Sequence, residues 1–262
     1  MFSFVKTHPL DITKNKFRQD LINLVHKNGG HIGGALSSVD IMTAVYYSKY
    51  FDLSSDHFVL SAGHLATAYY VVLASLKKFP KKLLDTYGCF DSILEGHVSS
   101  KVPGVEYSSG SLGQGLSFAA GLALGEKNKT TICLTSDGEH QEGQIWEAIS
   151  FAYKYKLKNL INIIDCNGLQ IDGSINEIMP LRNLAKKYEE FGWNVLIIDG
   201  HNFNAIETAF KKSLMSSYPT CIIAKTILGK GISFMENNFK YHDVKGLNDQ
   251  LYEQAINETN SR

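Results

Sequence analysis

The spacing of apolar residues along the chain predicts helices that alternate with short buried strands. One helix face is formed in residues 36–50 by Val39, Met42, Val45 and Tyr46. The same reasoning predicts further helices over residues 65–76, 112–126, 144–155 and 205–215. Short continuous apolar runs are typical of buried strands, and they lie at residues 130–135, 160–165, 195–199 and 221–226.

This alternation predicts the fold class. Parallel strands need long crossover connections, which helices usually provide, and right-handed crossovers cover both faces of the sheet. We therefore expect residues 1–262 to form a single α/β domain with a parallel sheet and helices on both faces. The last segment, residues 248–262, is expected to form one short polar helix at most.

Composition excludes several classes of protein. The 262 residues are 44% apolar and 20% charged, which is typical of a globular chain that buries a core. The 26 basic and 26 acidic side chains balance, so no charge excess favours nucleic acid or an anionic membrane as a partner. No transmembrane run or signal-peptide pattern is present. The scattered cysteines predict reduced, mostly buried thiols of a cytoplasmic protein, not a zinc site or disulfide framework: Cys89, Cys133, Cys166 and Cys221.

An acidic residue and an amide residue stand just after two consecutive predicted strands. Asp137 follows the first strand and Asn167 the second, so both are expected at the carboxyl edge of the sheet, where α/β proteins bind ligands. Their oxygens suit a hard cation that also takes phosphate oxygens. Gly138 permits a sharp turn, and the helix that begins near Gly143 presents its N-terminus to an anion. The pattern predicts a metal-bridged diphosphate site.

Seven segments, in order, resemble the transketolase family across nearly the whole chain. They are GGHIGGALSSVDI (29–41), FVLSAGHLATAYY (58–70), ILEGH (93–97), PGVEYSSGSLGQGLSFAAGLALGEK (103–127), SDGEHQEGQIWEA (136–148), DCNGLQIDG (165–173) and IAKTILGKGISFMEN (223–237). The stretch from Ser136 to Asn167 resembles the thiamine-diphosphate motif, with Ser136 in place of its first glycine. His242 is kept in its aromatic-His-Gly motif, but Asp243 replaces the glycine.

The resemblance implies a thiamin-diphosphate-binding fold of the diphosphate type and a role for each matching residue. Thiamine diphosphate and Mg²⁺ are the implied cofactors, with Ca²⁺ or Mn²⁺ as alternative metals. The metal ligands would be the side chains of Asp137 and Asn167 and the backbone carbonyl of Leu169. The resemblance also implies that six residues contact the cofactor: His64, Gly110, Leu112, Gly138, Glu142 and, besides its role as a metal ligand, Asn167.

Four histidines fall within these matching segments. By resemblance, His31 and His242 would handle protons on sugar hydroxyls, and His97 would bind the transferred fragment, so these three are the expected catalytic residues. Neutral imidazole suits such proton transfer. The other five histidines are interpreted as structural or surface residues: His8, His26, His57, His140 and His201.

Two glutamates and a lysine remain open between two interpretations. Family members use glutamates near Glu142 and Glu147 in a network across the subunit interface, whereas the alternative for Glu147 is a solvated surface carboxylate. Lys230 would either neutralise a phosphate or simply lie in a mobile loop, and we favour the second interpretation.

The implied activity is transfer of a two-carbon ketol unit from a ketose to an aldose. Sugar phosphates of the pentose phosphate pathway are the default substrates, and a specialised biosynthetic transketolase is the alternative. In the family, a second domain supplies a glutamate and an aromatic pocket for the cofactor's pyrimidine, and residues 248–262 are too few for another domain of about 150 residues. We therefore expect a separate carboxy-terminal subunit in a heterotetramer, with residues 112–125 and the helix from Gln144 at the interface.

Three other functions are weaker alternatives. Another thiamine enzyme, such as a deoxyxylulose-phosphate synthase or a decarboxylase, matches the segments at 61–70 and 95–98 less well. A nicotinamide-binding domain is disfavoured because Phe118 replaces the third glycine after Gly113 and Gly115. A scaffold that lost its chemistry is disfavoured by the retained Asp137 and Asn167.

Overall fold

The computed structural model describes residues 8–260, and a parallel sheet lies at its centre. Its strands are β1 (His57–Leu60), β2 (Thr131–Ser136), β3 (Leu160–Cys166), β4 (Leu169–Gln170), β5 (Gly173–Ser174), β6 (Asn194–Asp199) and β7 (Thr220–Lys225). Five of them form the parallel sheet in the order β1-β2-β3-β7-β6, and β4 and β5 form a separate antiparallel pair.

Helices surround this sheet. They are α1 (Leu10–Asn28), α2 (Ile32–Tyr47), α3 (Ala66–Ser75), α4 (Gly115–Gly125), α5 (Gly143–Lys154), α6 (Ile175–Ile178), α7 (Leu184–Glu190), α8 (Phe203–Leu214) and α9 (Asp249–Asn260). Short 3₁₀ turns cover Gly63–Leu65, Lys81–Thr86, Gly138–Gln141 and Phe239–Tyr241. Within residues 8–260, none of the helices combines the length and apolar character that crossing a bilayer needs.

The two faces of the sheet carry separate hydrophobic cores. One core contains residues of α1, α2, α3 and α8, and the other contains residues of α4, α5 and α7. The chain passes from β2 to β3 through α5, and it returns from β6 to β7 through α8 in the opposite direction across the sheet. Right-handed crossovers place two such helices on opposite faces. The predicted α/β class, a parallel sheet covered on both faces, is confirmed.

Several predicted boundaries need correction. The first predicted helix begins at Ile32, four residues earlier than expected, because Gly33 and Gly34 lie inside α2. The helix predicted from Leu112 begins only at Gly115, because Gly113 has a φ of 81° that a right-handed helix cannot contain. The tail forms α9, which packs on α1, with residues 261–262 outside the described part.

Some elements were not predicted. They are α1, the four-residue strand β1, the β4–β5 pair, α6 and α7. The cysteines also differ in part from expectation: all four are free, but Cys89 is exposed and Cys166 is half-buried. Residues 1–7, which include part of the segment tested for a signal peptide, lie outside the described residues.

Candidate active site

A cleft of about 300 Å³ opens at the carboxyl edge of the sheet. Its walls come from the ends of β2 and β3, the start of α2, the turn at Gly63–Leu65, and the segment that leads to α4. Every site residue predicted from the sequence lines this cleft: His31, His64, His97, Gly110, Leu112, Asp137, Gly138, Glu142, Asn167, Leu169 and His242. The fold thus brings into one cleft residues that are distant in the chain.

Asp137 stands directly after β2 and is 3% exposed. Its Oδ2 accepts a hydrogen bond from the Gly168 N–H at 2.7 Å, and its Oδ1 accepts one from the Gly138 N–H at 2.9 Å. Burial raises the pKa of Asp137 to about 7, against the opposing effects of these two donors and of Lys225. A cation at this carboxylate would favour its charged form.

Asn167 follows β3 and is held from both ends of its side chain. Its Nδ2 donates to Asp165 Oδ2 at 3.2 Å, and its Oδ1 accepts from the Leu169 N–H at 2.9 Å. Asp165 is itself fully buried and accepts hydrogen bonds from Ser37 and Thr226. The amide that was predicted to bind metal is therefore oriented by a carboxylate near the end of β3.

The donor set at this edge fits a metal ion that is bound together with a diphosphate. Among residues 8–260, no group of three or more His, Cys, Asp or Glu side chains is placed to hold a metal ion by itself. One carboxylate, one amide oxygen and one backbone carbonyl from Leu169 instead match the oxygen preference of Mg²⁺, which commonly takes phosphate oxygens as well. Gly138, whose N–H bonds to Asp137 here, borders the same space.

The four predicted histidines form a cluster in the cleft. The ring of His31 lies in the middle, with centroid distances of 5.9 Å to His64, 5.7 Å to His97 and 5.6 Å to His242. His64 and His242 are 5.5 Å apart. No regular sequence spacing links these positions, so the fold alone gathers them.

Burial keeps three of these imidazoles neutral. It lowers the pKa of His64 to about 3 and that of His242 to about 4, and neighbouring histidines add to both effects. It also lowers the pKa of His31, although Asp243 acts in the other direction. Within the described residues, the buried Nδ1 of His242 has no hydrogen-bond partner. An unpaired buried polar atom is costly, so this atom fits a site that hydrogen-bonds a ligand.

Glu139 is a site-supporting residue that the sequence analysis missed. It is fully buried next to Asp137, and burial raises its pKa. One oxygen accepts from the Ser61 hydroxyl at 2.6 Å and the Gly113 N–H at 2.8 Å, while the other accepts from the Ser136 N–H at 2.9 Å. Glu139 therefore ties the ends of β1 and β2 to the loop that carries Leu112. A glutamate two residues after Asp137 in the motif was the available signal.

The remaining histidines lie outside the cleft lining. His140 is buried, and its Nδ1 donates to the Ser136 carbonyl while its Nε2 contacts the Tyr188 hydroxyl. His201 donates from Nδ1 to Asp40, because its Nε2 accepts the Ile227 N–H. The other three histidines are half-buried: His57 contacts Glu106 and Glu126, His8 contacts Glu207, and His26 stacks on Tyr252.

Of the three residues left open by the sequence, Glu142 lines the cleft, whereas Glu147 and Lys230 do not. Glu147 is exposed on α5 and does not line the cleft. Lys230 forms an ion pair with Glu236 at 3.3 Å, and its carbonyl accepts from Arg18 Nε at 3.1 Å. The loop of Lys230 is thus anchored to α1.

Comparison with known proteins identifies the family of this chain. Residues 14–259 match the family of transketolase, thiamine diphosphate binding domain. The chain belongs to this family. Its members bind thiamine diphosphate through this domain, which agrees with the cofactor that the sequence implied.

Two curated relatives cover nearly the whole chain. The chain is 37% identical to an apulose-4-phosphate transketolase subunit of Phocaeicola vulgatus, over 98% of this chain and 96% of that protein. It is 38% identical to a 6-deoxy-6-sulfo-D-fructose transketolase subunit of a Clostridium species, over 93% and 94%. Both relatives are named as subunits.

A solved structure shows the same fold in a longer protein. The transketolase of Campylobacter jejuni superposes with a TM-score of 0.88 at 30% identity, over 96% of this chain. The chain spans only 42% of that transketolase. The similarity therefore covers the family's thiamine-diphosphate-binding domain.

Proposed function

We propose that this chain is the thiamine-diphosphate-binding subunit of a two-chain transketolase, which moves a two-carbon ketol unit from a ketose to an aldose. The observation that carries the proposal is the single cleft in which Asp137 and Asn167 face a cluster of four histidines. The subunit names of the two relatives support the two-chain arrangement.

Five residues of this chain hold the metal and the diphosphate in this proposal. Asp137 and Asn167 bind Mg²⁺ through side-chain oxygens, and Leu169 binds it through its carbonyl. His64 and the backbone at Gly138 contact the diphosphate. When bound, thiamine diphosphate supplies the nucleophilic carbon that carries the two-carbon unit. Ca²⁺ or Mn²⁺ would meet the same oxygen ligands.

The other histidines act on the sugar. His31 and His242 are kept neutral by burial, so each can accept a proton from a sugar hydroxyl and return it. His97, 5.7 Å from His31 between ring centroids, binds the transferred fragment. Gly110 and Leu112 support the aminopyrimidine, and Glu142, at the start of α5, lies beside it.

The partner is a carboxy-terminal transketolase subunit that supplies the activating glutamate and the pyrimidine pocket, in a heterotetramer. Exposed apolar residues on α4 and α5, Phe118 and Phe151, support these helices as the interface. The substrates are phosphorylated or similarly substituted sugars. A specialised pathway is favoured over the pentose phosphate pathway by the relatives that are named for apulose 4-phosphate and sulfofructose. The cytoplasmic location stays a prediction from cysteine usage.

The metal assignment is tested by ligand-induced stabilisation. Thiamine diphosphate with Mg²⁺ should raise the Tm, because a ligand at a hundredfold excess over Kd stabilises by about 2.7 kcal/mol. Asp137→Ala should abolish this shift. Asp199→Ala is the matched control, since Asp199 ends the edge strand β6 and does not line the cleft. Equal shifts in all three proteins would contradict the assignment.

The two-chain proposal is tested by reconstitution. The purified chain alone should transfer no ketol units at any cofactor concentration, and adding the companion subunit should restore transfer with saturable stoichiometry. His31→Ala and His97→Ala should keep the cofactor-induced Tm shift and lose turnover. Robust transfer by the mass-verified chain alone would refute the need for a partner.

A further inference from the structure

A short segment near the end of the described chain lies across the start of α2. Gly30 and Val244 form an antiparallel bridge, in which Gly30 N–H donates to the Val244 carbonyl at 2.8 Å and Val244 N–H donates back at 3.1 Å. A Cβ on Gly29 would lie 2.3 Å from the Val244 oxygen, so this approach requires glycine. We call residues 241–245 the strap.

The strap places an acidic residue opposite a histidine of the cleft. In an antiparallel pair, the residues next to a bridged pair face each other, so Asp243 lies opposite His31. Asp243 follows His242, whose ring contacts that of His31. Asp243 is exposed, and within residues 8–260 its carboxylate forms no hydrogen bond or ion pair. The charge of Asp243 acts on a residue of the cleft lining, since it opposes the lowering effect of burial on the pKa of His31.

The cleft lining on the described part of this chain offers no lysine or arginine to balance the charge of Asp243. The acidic side chains in the lining are Asp137, Glu142 and Asp172. The histidines whose pKa values burial lowers do not supply a cation at neutral pH. Lys225, whose charge acts to lower the pKa of Asp137, donates to Cys166 Sγ at 3.3 Å and does not line the cleft.

Resting on the proposed function, we propose that Asp243 is a specificity-determining residue that favours uncharged, hydroxyl-bearing sugar carbons beside His31 and disfavours an anionic group there. A hydroxyl can donate a hydrogen bond to the carboxylate, whereas a carboxylate, phosphate or sulfonate is repelled by it. A charged substituent on the substrate is therefore expected to lie away from His31.

This inference is tested in the reconstituted complex with two substrates that donate the ketol unit and differ in charge next to the reacting carbonyl. 3-Hydroxypyruvate carries a carboxylate on its carbonyl carbon, and erythrulose is an uncharged ketose. Asp243→Asn should raise the ratio of kcat/KM for hydroxypyruvate over erythrulose roughly three- to tenfold, and Asp243→Lys should raise it further. The change should shrink at high salt. Glu190→Gln, an exposed residue at the end of α7, is the control and should leave the ratio unchanged.

A second measurement needs only this chain. NMR titration of the His31 ring should give a lower pKa in Asp243→Asn than in the wild-type chain, and no change in Glu190→Gln. An unchanged kcat/KM ratio in a complex that transfers from erythrulose overturns the inference and leaves the proposed function standing. A complex that transfers from neither donor overturns both, and an unchanged His31 pKa overturns the inference because the charge would then not reach the cleft.

Discussion

The rings of His31 and His242 meet edge to face with their centroids 5.6 Å apart. His31 precedes α2 near the start of the chain, and His242 belongs to the strap near its end. The backbone sets this contact, because the first turn of α2 lies against the strap at Gly33 as well as at the Gly30–Val244 bridge. The geometry of the histidine cluster thus depends on glycines whose role is close packing.

Gly33→Ala should disturb this contact. A Cβ there would lie 2.6 Å from the Tyr241 carbonyl oxygen and 2.9 Å from Leu228 Cγ. Although alanine in a helix normally gains about 0.5–1 kcal/mol over glycine, we expect a net loss of about 1–3 kcal/mol from the clash. Urea unfolding measures the loss, and ketol transfer by the reconstituted complex should fall with it.

The matched control is Gly121→Ala on α4, where an added Cβ would meet nothing within 4 Å. This variant should gain about 0.5–1 kcal/mol when the chain is studied alone. If Gly33→Ala stabilised the chain to the same extent, the strap would not be packed against α2 as described.

Glu139→Ala should destabilise the chain strongly. It removes the acceptor for the Ser61 hydroxyl and for the N–H groups of Gly113 and Ser136, all of them buried where β1 and β2 meet the loop before α4. Unsatisfied buried donors cost about 1–3 kcal/mol each, so urea unfolding should show a loss of at least about 3 kcal/mol. Glu147→Ala, exposed on α5, should stay within about 0.5 kcal/mol of wild type. Similar values for the two variants would argue against the buried network.

The strands were the most predictable part of the fold. Buried parallel strands are continuous apolar runs, and β2, β3, β6 and β7 begin and end within one residue of the predicted bounds. Helix starts were less predictable, since glycine is tolerated inside α2 at Gly33 but breaks the helix at Gly113, where φ is positive. The strand β1 was missed because HFVL is too short to give a periodic signal.

Site residues were predictable to different degrees. The spacing of strand ends alone placed Asp137 and Asn167 at one edge, because the register of a parallel sheet fixes where its carboxyl ends lie. The histidines at 31, 64, 97 and 242 needed the family resemblance, since no local pattern connects them. Glu139 was missed because its partners Ser61 and Gly113 come from segments distant in sequence.

A buried ion pair behind the cleft should contribute strongly to stability. Arg18 donates to both oxygens of Asp40 at 2.8 and 2.7 Å, and His201 donates to the same carboxylate. Burial alone would raise the pKa of Asp40, but Arg18 and His201 hold it below its usual range. Asp40→Ala leaves the Arg18 charge buried without its partner, so urea unfolding should show a loss of about 3–5 kcal/mol.

The control for this pair is Asp20→Ala, which breaks the ion pair of Asp20 with Lys81, a side chain that is 56% exposed. Its cost should not exceed about 1 kcal/mol, because water screens such pairs. A loss from Asp40→Ala no larger than this would mean that Arg18 finds another partner or reaches solvent.

The buried ring of His140 should make the chain sensitive to acid. Burial lowers its pKa to about 4, whereas an unfolded chain protonates histidine near 6.5. Between these two values the unfolded state binds a proton that the folded state does not, so stability falls as the pH falls through this range. By pH 5 this one group should lower the free energy of unfolding by about 2 kcal/mol relative to pH 7.5.

His140→Gln removes the titrating group, so its free energy of unfolding, measured in urea across this range, should fall by about 2 kcal/mol less than that of the wild type. The variant's stability at pH 7.5 separately reports the lost contacts with Ser136 and Tyr188. Parallel pH curves for the two proteins would mean that His140 accepts a proton in the folded state as readily as in the unfolded one.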